Sequence, residues 1–326
     1  MLKIKIRTKN FGIDQEDTDQ EDTFQALREF GSRPFRTDDG RFLYALKPEL
    51  DDSKPEPVFW RDDEIDRKRE RLLLNPSICS SWAMWPEESD LPYARGEKKC
   101  PVCCDKNKDQ CERNDVCLIT RSKKTVTRSE KPGWTLKPNI ILLSANWSTT
   151  AQGGDVFDPA RRLAWSDFHS TGRNKKGDDL FRRLLHDTAF QGAYMTDFVK
   201  GYINGSLPEV CNLLNDKNDG AVFKRFVEVL KNELADLNDA FDITTNDDID
   251  RCIVVWGPTL MDNLIKGAKK FYGNETLLDL FPGYRWKSFG SHYSSSVRGS
   301  KDERFARMKL ITDYLPSNDI SAYENV

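Results

Sequence analysis

The chain has 326 residues, with 50 Lys or Arg against 53 Asp or Glu, and its formal net charge at pH 7 is −3. This length suffices for one large α/β domain with a smaller addition, and the near-neutral charge argues against a protein that coats polyanions along its whole surface. The sequence contains neither a signal-peptide stretch nor an apolar run long enough to cross a bilayer. We therefore expect a cytoplasmic protein with no membrane partner.

Residues 1–78 are predicted to form an amino-terminal extension, loosely joined to the rest, for which the sequence suggests no function. Residues 1–7 alternate in the manner of a half-exposed strand, and the acidic stretch 14–22 has the composition of a solvated loop. Apolar residues at helical spacing predict a short helix over residues 24–31. A charged helix is predicted over residues 62–74.

Residues 79–131 are predicted to form a cysteine-rich, metal-binding insertion. A Cys-x-x-Cys turn directs two thiolates at one point, and two more thiolates complete a tetrahedral site. The favoured ligands are Cys100, Cys103, Cys111 and Cys117, with Cys104 as a competitor. A segment this hydrophilic has little apolar core of its own, so a bound metal would be needed to stabilise it. The alternative is a set of reduced, half-buried thiols. Zinc is favoured over an iron–sulfur cluster, which has the same ligand needs, and no organic cofactor is expected.

A basic stretch follows the cysteines. Its Lys and Arg residues alternate with Ser and Thr between residues 121 and 131. Such an arm can face the phosphates of a nucleic acid, which makes Lys123 and Lys124 candidate DNA contacts. A solvated hairpin explains the pattern equally well.

Residues 132–326 are predicted to form an α/β domain with a mostly parallel central sheet. Short apolar runs that stop at polar residues predict buried parallel strands, and these runs lie at about 139–148, 190–200, 250–257 and 286–298, the last leading into a serine-rich turn. Helical spacing covers 179–186, 221–237 and 259–270. Strands that alternate with helices predict a three-layer sandwich.

Polar or glycine residues stand at the four predicted strand ends. They are Asn146, Asp197, Gly257 and His292. In open α/β sheets, ligands bind in the crevice beyond the carboxyl ends of the strands. An Asn that follows a strand more often starts a turn, so Asn146 is ambiguous on its own.

The order of these strand ends resembles the uracil-DNA glycosylase superfamily over about residues 138–315. Ser-Ala-Asn-Trp-Ser at 144–148 resembles its water-positioning loop, with Asn as in the mismatch-specific thymine/uracil branch. Residues 192–197 are similar to the strand whose last residue reads the flipped base, and 254–257 to the strand with a Trp-Gly end. His-Tyr-Ser-Ser-Ser-Val-Arg at 292–298 resembles the leaving-group and intercalation loop in its thymine-DNA glycosylase form.

The resemblance implies a DNA glycosylase that flips a pyrimidine out of a duplex, hydrolyses its N-glycosidic bond and leaves an abasic site. No Lys occupies the position of Asn146, so no lyase activity is expected. The chain departs from the superfamily at Trp147 and Tyr293, which stand where prolines are usual. The first loop also lacks its leading glycine.

The resemblance also implies a role for individual residues. Asn146 would hold the attacking water, and His292 would donate to the pyrimidine O2, unless His292 is only a loop residue bonded to the backbone. Phe168 would stack on the flipped base, with Phe157 as the other candidate, although an aromatic here is more often core. Arg298 would fill the gap in the duplex or hold a phosphate. Further DNA contacts are expected at Ser294, Ser295 and Ser296.

Two residues bear on which base is cleaved. Asp197 stands where uracil-specific members carry Asn, and an ionised carboxylate only accepts hydrogen bonds, which suits the exocyclic amine of cytosine. Ser148 stands where those members place a Tyr against C5, so a C5 substituent has room. Together they favour a 5-modified cytosine, as found in some phage genomes, and hence anti-phage defence in a bacterial or phage setting. Thr196 becomes the reader if the register is off by one.

Three alternatives stay open. The first is a repair glycosylase for uracil or thymine mismatches. The second is a non-catalytic nucleic-acid-binding protein of the same fold, which would use the cysteine segment and the basic arm for contact. The third is a related α/β enzyme that acts on free nucleotides and needs no intercalating Arg298.

Overall fold

The computed structural model describes residues 11–12, 17–46, 57–61, 71–83, 135–146, 165, 168, 185, 190–202, 207–215, 220–243 and 251–289. The strands in these ranges are β1 (Phe11–Gly12), β2 (Phe42–Leu46), β3 (Pro57–Trp60), β4 (Arg71–Leu73), β5 (Ser81–Trp82), β6 (Thr135–Asn146), β7 (Ala193–Val199), β8 (Arg251–Val255) and β9 (Tyr284–Ser288). The helices are α1 (Asp17–Ser32), α2 (Pro76–Cys79), α3 (Leu207–Leu214), α4 (Ala221–Ala240), α5 (Pro258–Phe271) and α6 (Leu277–Leu280).

The main sheet has the strand order β5-β7-β6-β8-β9, and the short β1 also pairs with β6. The pairs β6–β7, β6–β8 and β8–β9 are parallel, whereas β5 and β1 join antiparallel. The predicted α/β class with a mostly parallel sheet is therefore confirmed. A second, three-stranded antiparallel sheet with the order β3-β2-β4 was not predicted from the sequence.

The two faces of the main sheet carry two separate apolar clusters. Because successive side chains of a strand point to opposite faces, Ile141 and Leu143 of β6 join one cluster while Ile140 and Leu142 join the other. We call these sides the first face and the second face. Apolar residues of α4 and α5 pack on the first face. On the second face, Leu185 and Phe190 belong to the cluster that covers the sheet.

Apolar residues from the described segments before Ala83 share the first-face core with the sheet. Leu27 and Phe30 of α1, Leu43 of β2 and Trp82 of β5 all belong to the cluster that contains α4. The ring of Phe59 packs edge-on against Phe226 of α4, with the centroids 5.4 Å apart, and so ties the small sheet to the same core. This part of the chain is thus packed against the α/β unit by buried apolar contacts.

Two predictions in the amino-terminal part are wrong. The acidic stretch was expected to be a loop, but α1 begins at Asp17 within it, since acidic residues are favoured at the amino-terminal end of a helix. The charged helix was expected to extend to residue 74, but its described end, 71–73, is a strand paired with β2. Leu72 is buried there and its two neighbours in β4 are less so, which is the alternation of a strand.

The predicted start of the first parallel strand at residue 139, directly after Pro138, is also wrong. Strand β6 begins at Thr135, and Pro138 lies buried inside it. Proline has no N–H to give to the ladder, and the pairing of β6 with β7 shifts register between Lys137 and Ile141. The helices α4 and α5 cover the predicted ranges. None of the helices in the described ranges combines the length and apolar character needed to cross a membrane.

Candidate functional site at the carboxyl edge of the sheet

The strand order creates a crevice beside β6. From β6 the chain continues to β7 on one side, whereas from β8 it continues to β9 on the other side. In open α/β sheets, ligands bind beyond the carboxyl ends of the two strands where the order reverses, which here are β6 and β8. Asn146 ends β6, and Gly257, with a φ of 98°, turns the chain after β8 into α5. The sequence-predicted strand ends Asn146 and Gly257 therefore flank this crevice.

A row of buried side chains crosses the sheet on the second face near this edge. Ser144 pairs in register with Asp197 of β7, Trp256 N–H donates to Leu143 C=O, and Phe289 N–H donates to Val255 C=O. The members of this edge row are Asp197, Ser144, Trp256 and Phe289. None is more than 4 % exposed, and the Trp256 and Phe289 rings stack with their centroids 4.3 Å apart.

Asn146 and Asp197 lie at neighbouring positions on two parallel strands. Asn146 follows Ser144 by two residues and pairs in register with Val199 of β7. Ideal strand spacings place the Cα atoms of Asn146 and Asp197 about 8 Å apart. Thr196, the alternative reader, has its hydroxyl on the first face, where it donates to Glu233.

Phe168 packs, half-buried, against the second-face cluster. Both Phe168 and Trp165 have φ near +60°, which is a rare, strained conformation for a bulky residue and marks a position held by its surroundings. Trp165 N–H donates to Ser77 C=O at 2.8 Å, and Ser81 Oγ donates to Trp165 C=O at 2.8 Å. Residues 77–81 thus hold the backbone of Trp165, whereas Phe168 lies on the face that also carries Asp197.

The other predicted site residues lie outside the described residues. They are Ser148, Phe157, His292, Ser294, Ser295, Ser296 and Arg298 at the site, Lys123 and Lys124 in the basic arm, and Cys100, Cys103, Cys104, Cys111 and Cys117 at the metal site. Among the residues that are described, no three His, Cys, Asp or Glu side chains group together so as to hold a metal ion. The zinc site stays a prediction.

One charged cluster was missed by the sequence reasoning. It consists of Ser80, Tyr194, Thr196, Lys200 and Glu233, all buried on the first face, and we call it the Lys200–Glu233 network. Lys200 Nζ lies 2.8 Å from Glu233 Oε2. The burial of Tyr194 beside the Glu233 carboxylate raises the pKa of its phenol well above the usual range.

The sequence did contain a signal for this cluster. The apolar stripe of α4 runs through Phe226, Leu230, Leu234 and Leu237, all buried. Glu233 lies three residues after Leu230, on the stripe that faces the core. A charged residue at such a position is almost never buried without a partner, so the helix pattern was a signal, not used in the sequence analysis, that Glu233 has a buried partner.

Neither the scan against protein-family models nor the search of curated proteins gave a match for this chain.

Proposed function

We propose that this protein is a monofunctional DNA N-glycosylase that extrudes a 5-modified cytosine from a duplex and hydrolyses its glycosidic bond. The observation that carries the proposal is the position of Asn146 and Asp197 near the carboxyl ends of the adjacent parallel strands β6 and β7, of which β6 borders the point where the strand order reverses. The finer fold proposed with it is a three-layer sandwich of the uracil-DNA glycosylase kind. Helices α4 and α5 on one face and the helical residue Leu185 on the other support that layering.

The chemistry asks for a held water and for stabilisation of the departing base. Cleavage builds positive charge on the sugar and negative charge on the base, so donors aimed at the base oxygen lower the barrier. In the proposal, the Asn146 amide oxygen holds the water and His292 donates to O2 of the pyrimidine. The resemblance supplies both roles. The strand-end position of Asn146 in the structure is compatible with its role.

Base selection is assigned to Asp197. Its side chain is 1 % exposed, and it lies at the end of the edge row, on the face where the aromatic rings of Trp256 and Phe289 pack. A carboxylate shielded from water in this way discriminates by hydrogen-bond type, because an acceptor of the base that faces it gains no donor in exchange for the water it loses. The exocyclic amine of cytosine donates, and O4 of uracil does not.

Abasic-site assays test the proposal directly. Duplexes with a single 5-hydroxymethylcytosine, glucosylated 5-hydroxymethylcytosine, cytosine, uracil or mismatched thymine are incubated with the protein and then cleaved with alkali. We expect strand cleavage at the 5-modified cytosines and little at uracil. Asn146→Ala should lower the rate by about 100-fold or more, as expected for the loss of a group that positions the reacting water, while the Kd for DNA is unchanged.

A matched control is available on the same strand. Asn139 is buried in β6, seven residues before Asn146 and so about 23 Å away along the strand. Asn139→Ala should keep the turnover of the folded protein. Strong release of uracil without release of any cytosine would overturn the modified-cytosine assignment. DNA binding without release of any base would identify a non-catalytic binder instead.

A further inference from the structure

A buried ion pair lies on the first face of the sheet, behind the residue proposed to read the base. Lys200 follows the end of β7, and its Nζ lies 2.8 Å from Oε2 of Glu233 in α4, with both side chains fully buried. The same Nζ donates to the backbone C=O of Asp197 and lies 4.7 Å from the ring centroid of Phe35. One ammonium group therefore connects α4, the amino-terminal part of the chain and the backbone of Asp197.

The second carboxylate oxygen of Glu233 is held by hydroxyl groups. Its Oε1 accepts from Tyr194 Oη at 2.7 Å and from Thr196 Oγ1 at 2.8 Å. Ser80 Oγ lies 3.0 Å from Thr196 Oγ1. Each of these hydroxyls is buried and has a partner within the Lys200–Glu233 network, and satisfied buried networks of this kind make their surroundings rigid.

Stability alone is a poor reason for such a network. A buried ion pair can often be replaced by apolar residues of similar volume without loss of stability. The end of β7, however, has less support than its start. Within the described residues, β5 pairs with β7 only at Tyr194 and Met195, so the last part of β7, from Asp197 to Val199, is paired with β6 alone. The hydrogen bond from Lys200 to the Asp197 carbonyl fastens that end.

We infer that the Lys200–Glu233 network is a positioning device that holds the backbone of Asp197 and thereby sets which base the site accepts. The inference rests on the proposed glycosylase function. Groups that select a substrate must be held to within about 0.5 Å by their supporting residues. The network supplies that support from the face of the sheet that the base does not touch.

The test uses the full chain with the double substitution Lys200→Met and Glu233→Gln. These substitutions leave no unpaired charge in the core, and the new amide oxygen still accepts from the hydroxyls of Tyr194 and Thr196. The control is Leu230→Ala, which removes a fully buried side chain one turn earlier in α4. That side chain belongs to the same core but has no polar group to contact Asp197.

Two measurements are made on each protein, each at a temperature the same number of degrees below that protein's Tm. Amide hydrogen exchange of a peptide covering residues 193–202 should be faster in the double variant than in the control. The kcat/KM for 5-modified cytosine should fall by about 10- to 100-fold, since a displacement of about 1 Å far from the chemistry has that effect. The ratio of this constant to that for uracil should shrink in the double variant and stay unchanged in Leu230→Ala.

The outcomes separate the two proposals. Faster exchange with an unchanged base ratio overturns the role in base selection and leaves the glycosylase function standing. If the wild-type protein releases no base, the glycosylase function is overturned, and base selection with it. If amide exchange in the double variant matches that in the control, the network does not hold the end of β7. If the double variant does not fold, Lys200→Arg decides. It keeps the charge but alters the contact with the Asp197 carbonyl, so an unchanged base ratio overturns the proposal.

Discussion

Asp197 is the residue on which the proposed specificity depends. It is buried in β7 and paired in register with Ser144, and its carboxylate only accepts hydrogen bonds when ionised. Asp197→Asn would supply a donor for O4 and keep an acceptor for N3–H of uracil. We expect the preference to move from 5-modified cytosine towards uracil by about 5- to 150-fold, which corresponds to the 1–3 kcal/mol cost of a buried unpaired group.

The measurement is the ratio of kcat/KM for the two duplexes in the wild type and in Asp197→Asn. The preceding residue offers a check on register, because Thr196 Oγ1 points to the first face and donates to Glu233 Oε1. A ratio that is the same in both proteins would show that Asp197 does not read the base.

Tyr194 is expected to stabilise the fold through its hydroxyl. Its Oη donates to the buried carboxylate of Glu233 at 2.7 Å, and hydrogen bonds to charged groups contribute about 1.5–3 kcal/mol. Tyr194→Phe removes the donor and should lower the free energy of unfolding at pH 7 by that amount. Urea unfolding followed by far-UV circular dichroism measures the loss, and an unchanged midpoint would contradict the prediction.

The same residue predicts how stability changes in alkali. Burial, with the Glu233 charge beside it, raises the pKa of Tyr194 in the folded state well above its usual value of 10. Its contribution to stability is therefore fully present below about pH 10 and is lost as the pH rises from there towards the folded pKa. Between pH 9 and pH 11 the wild type should lose stability more steeply than Tyr194→Phe, by up to about 1.4 kcal/mol per pH unit. Parallel pH profiles would contradict this.

At the contact between α4 and α5, helix propensity and packing favour different residues at position 267. Gly267 lies in α5, where Ala is favoured over Gly by about 1 kcal/mol. A Cβ at this position would lie 2.3 Å from Cε2 of Phe223, whose ring is held between Phe198 and Phe271 at centroid distances of 5.8 and 5.6 Å. We expect packing to decide, so Gly267→Ala should destabilise the protein by about 1–2 kcal/mol.

A double-mutant cycle checks the cause. Phe223→Leu makes room for the new methyl group, so the cost of Gly267→Ala should be at least about 0.5 kcal/mol smaller in that background. Chemical denaturation of the four proteins provides the coupling energy. Additive costs would show that the clash is relieved elsewhere.

Among the secondary-structure elements, the buried parallel strands and long helices were predictable, because their apolar patterns are continuous. The predicted ends of these elements were wrong where one residue type is common in two kinds of structure. A proline usually bounds a strand, but Pro138 is accommodated by an irregular stretch of β6. The acidic residues in the first turns of α1 suit a loop as well as a helix start. Short strands such as β4 are fixed by pairing with distant β2 rather than by local sequence.

For the candidate site, likewise, the residues on the strands were predictable and the contacts between distant parts of the chain were not. Asn146 could be found because it ends an apolar run, and Asp197 because it is a charged residue within one, two residues before the end of β7. The register that brings them to neighbouring strands follows from the sheet. The contact of Lys200 with Glu233 joins residues 33 positions apart in the chain, so no local pattern contains it. Only the charge on the apolar stripe of α4 indicated that a partner was needed.

At the scale of the whole molecule, the amino-terminal part is predicted to be indispensable. Trp82 packs against Tyr194 and Phe241 with centroid distances of 5.2 and 5.5 Å, and the two terminal nitrogens of the Arg36 guanidinium donate to the Asp236 carboxylate of α4 at 2.6 and 2.8 Å. A fragment of residues 132–326 would expose these surfaces. We expect it to show no cooperative thermal transition by circular dichroism, and co-expression with residues 1–99 should restore one. A fragment as stable as the full chain would show that the amino-terminal part is a separate unit.

Removal of the cysteine-rich segment, in contrast, should leave the fold intact, because the described residues that flank it meet the sheet close together. Ala83 N–H donates to Ala193 C=O at 2.8 Å, Gly192 N–H donates to Ala83 C=O at 2.9 Å, and Lys137 N–H donates to Gly192 C=O at 2.8 Å. Ala83 and Lys137 therefore flank the start of β7 from its two sides, about 10 Å apart, which is twice the spacing between strands. Asn146 lies at the other end of β6, about 30 Å away.

A flexible linker of about ten Gly and Ser residues has an r.m.s. span of about 17 Å, which is enough to bridge this gap. Replacement of residues 84–134 by such a linker should leave the Tm within a few degrees of that of the full chain and abolish bound zinc, as measured by metal analysis. If the basic arm contacts phosphates, the Kd for duplex DNA will rise and its dependence on salt will weaken, while the rate of base release at saturating protein stays the same. Loss of the cooperative transition would instead place residues 84–134 within the core that holds Asn146 and Asp197 in register.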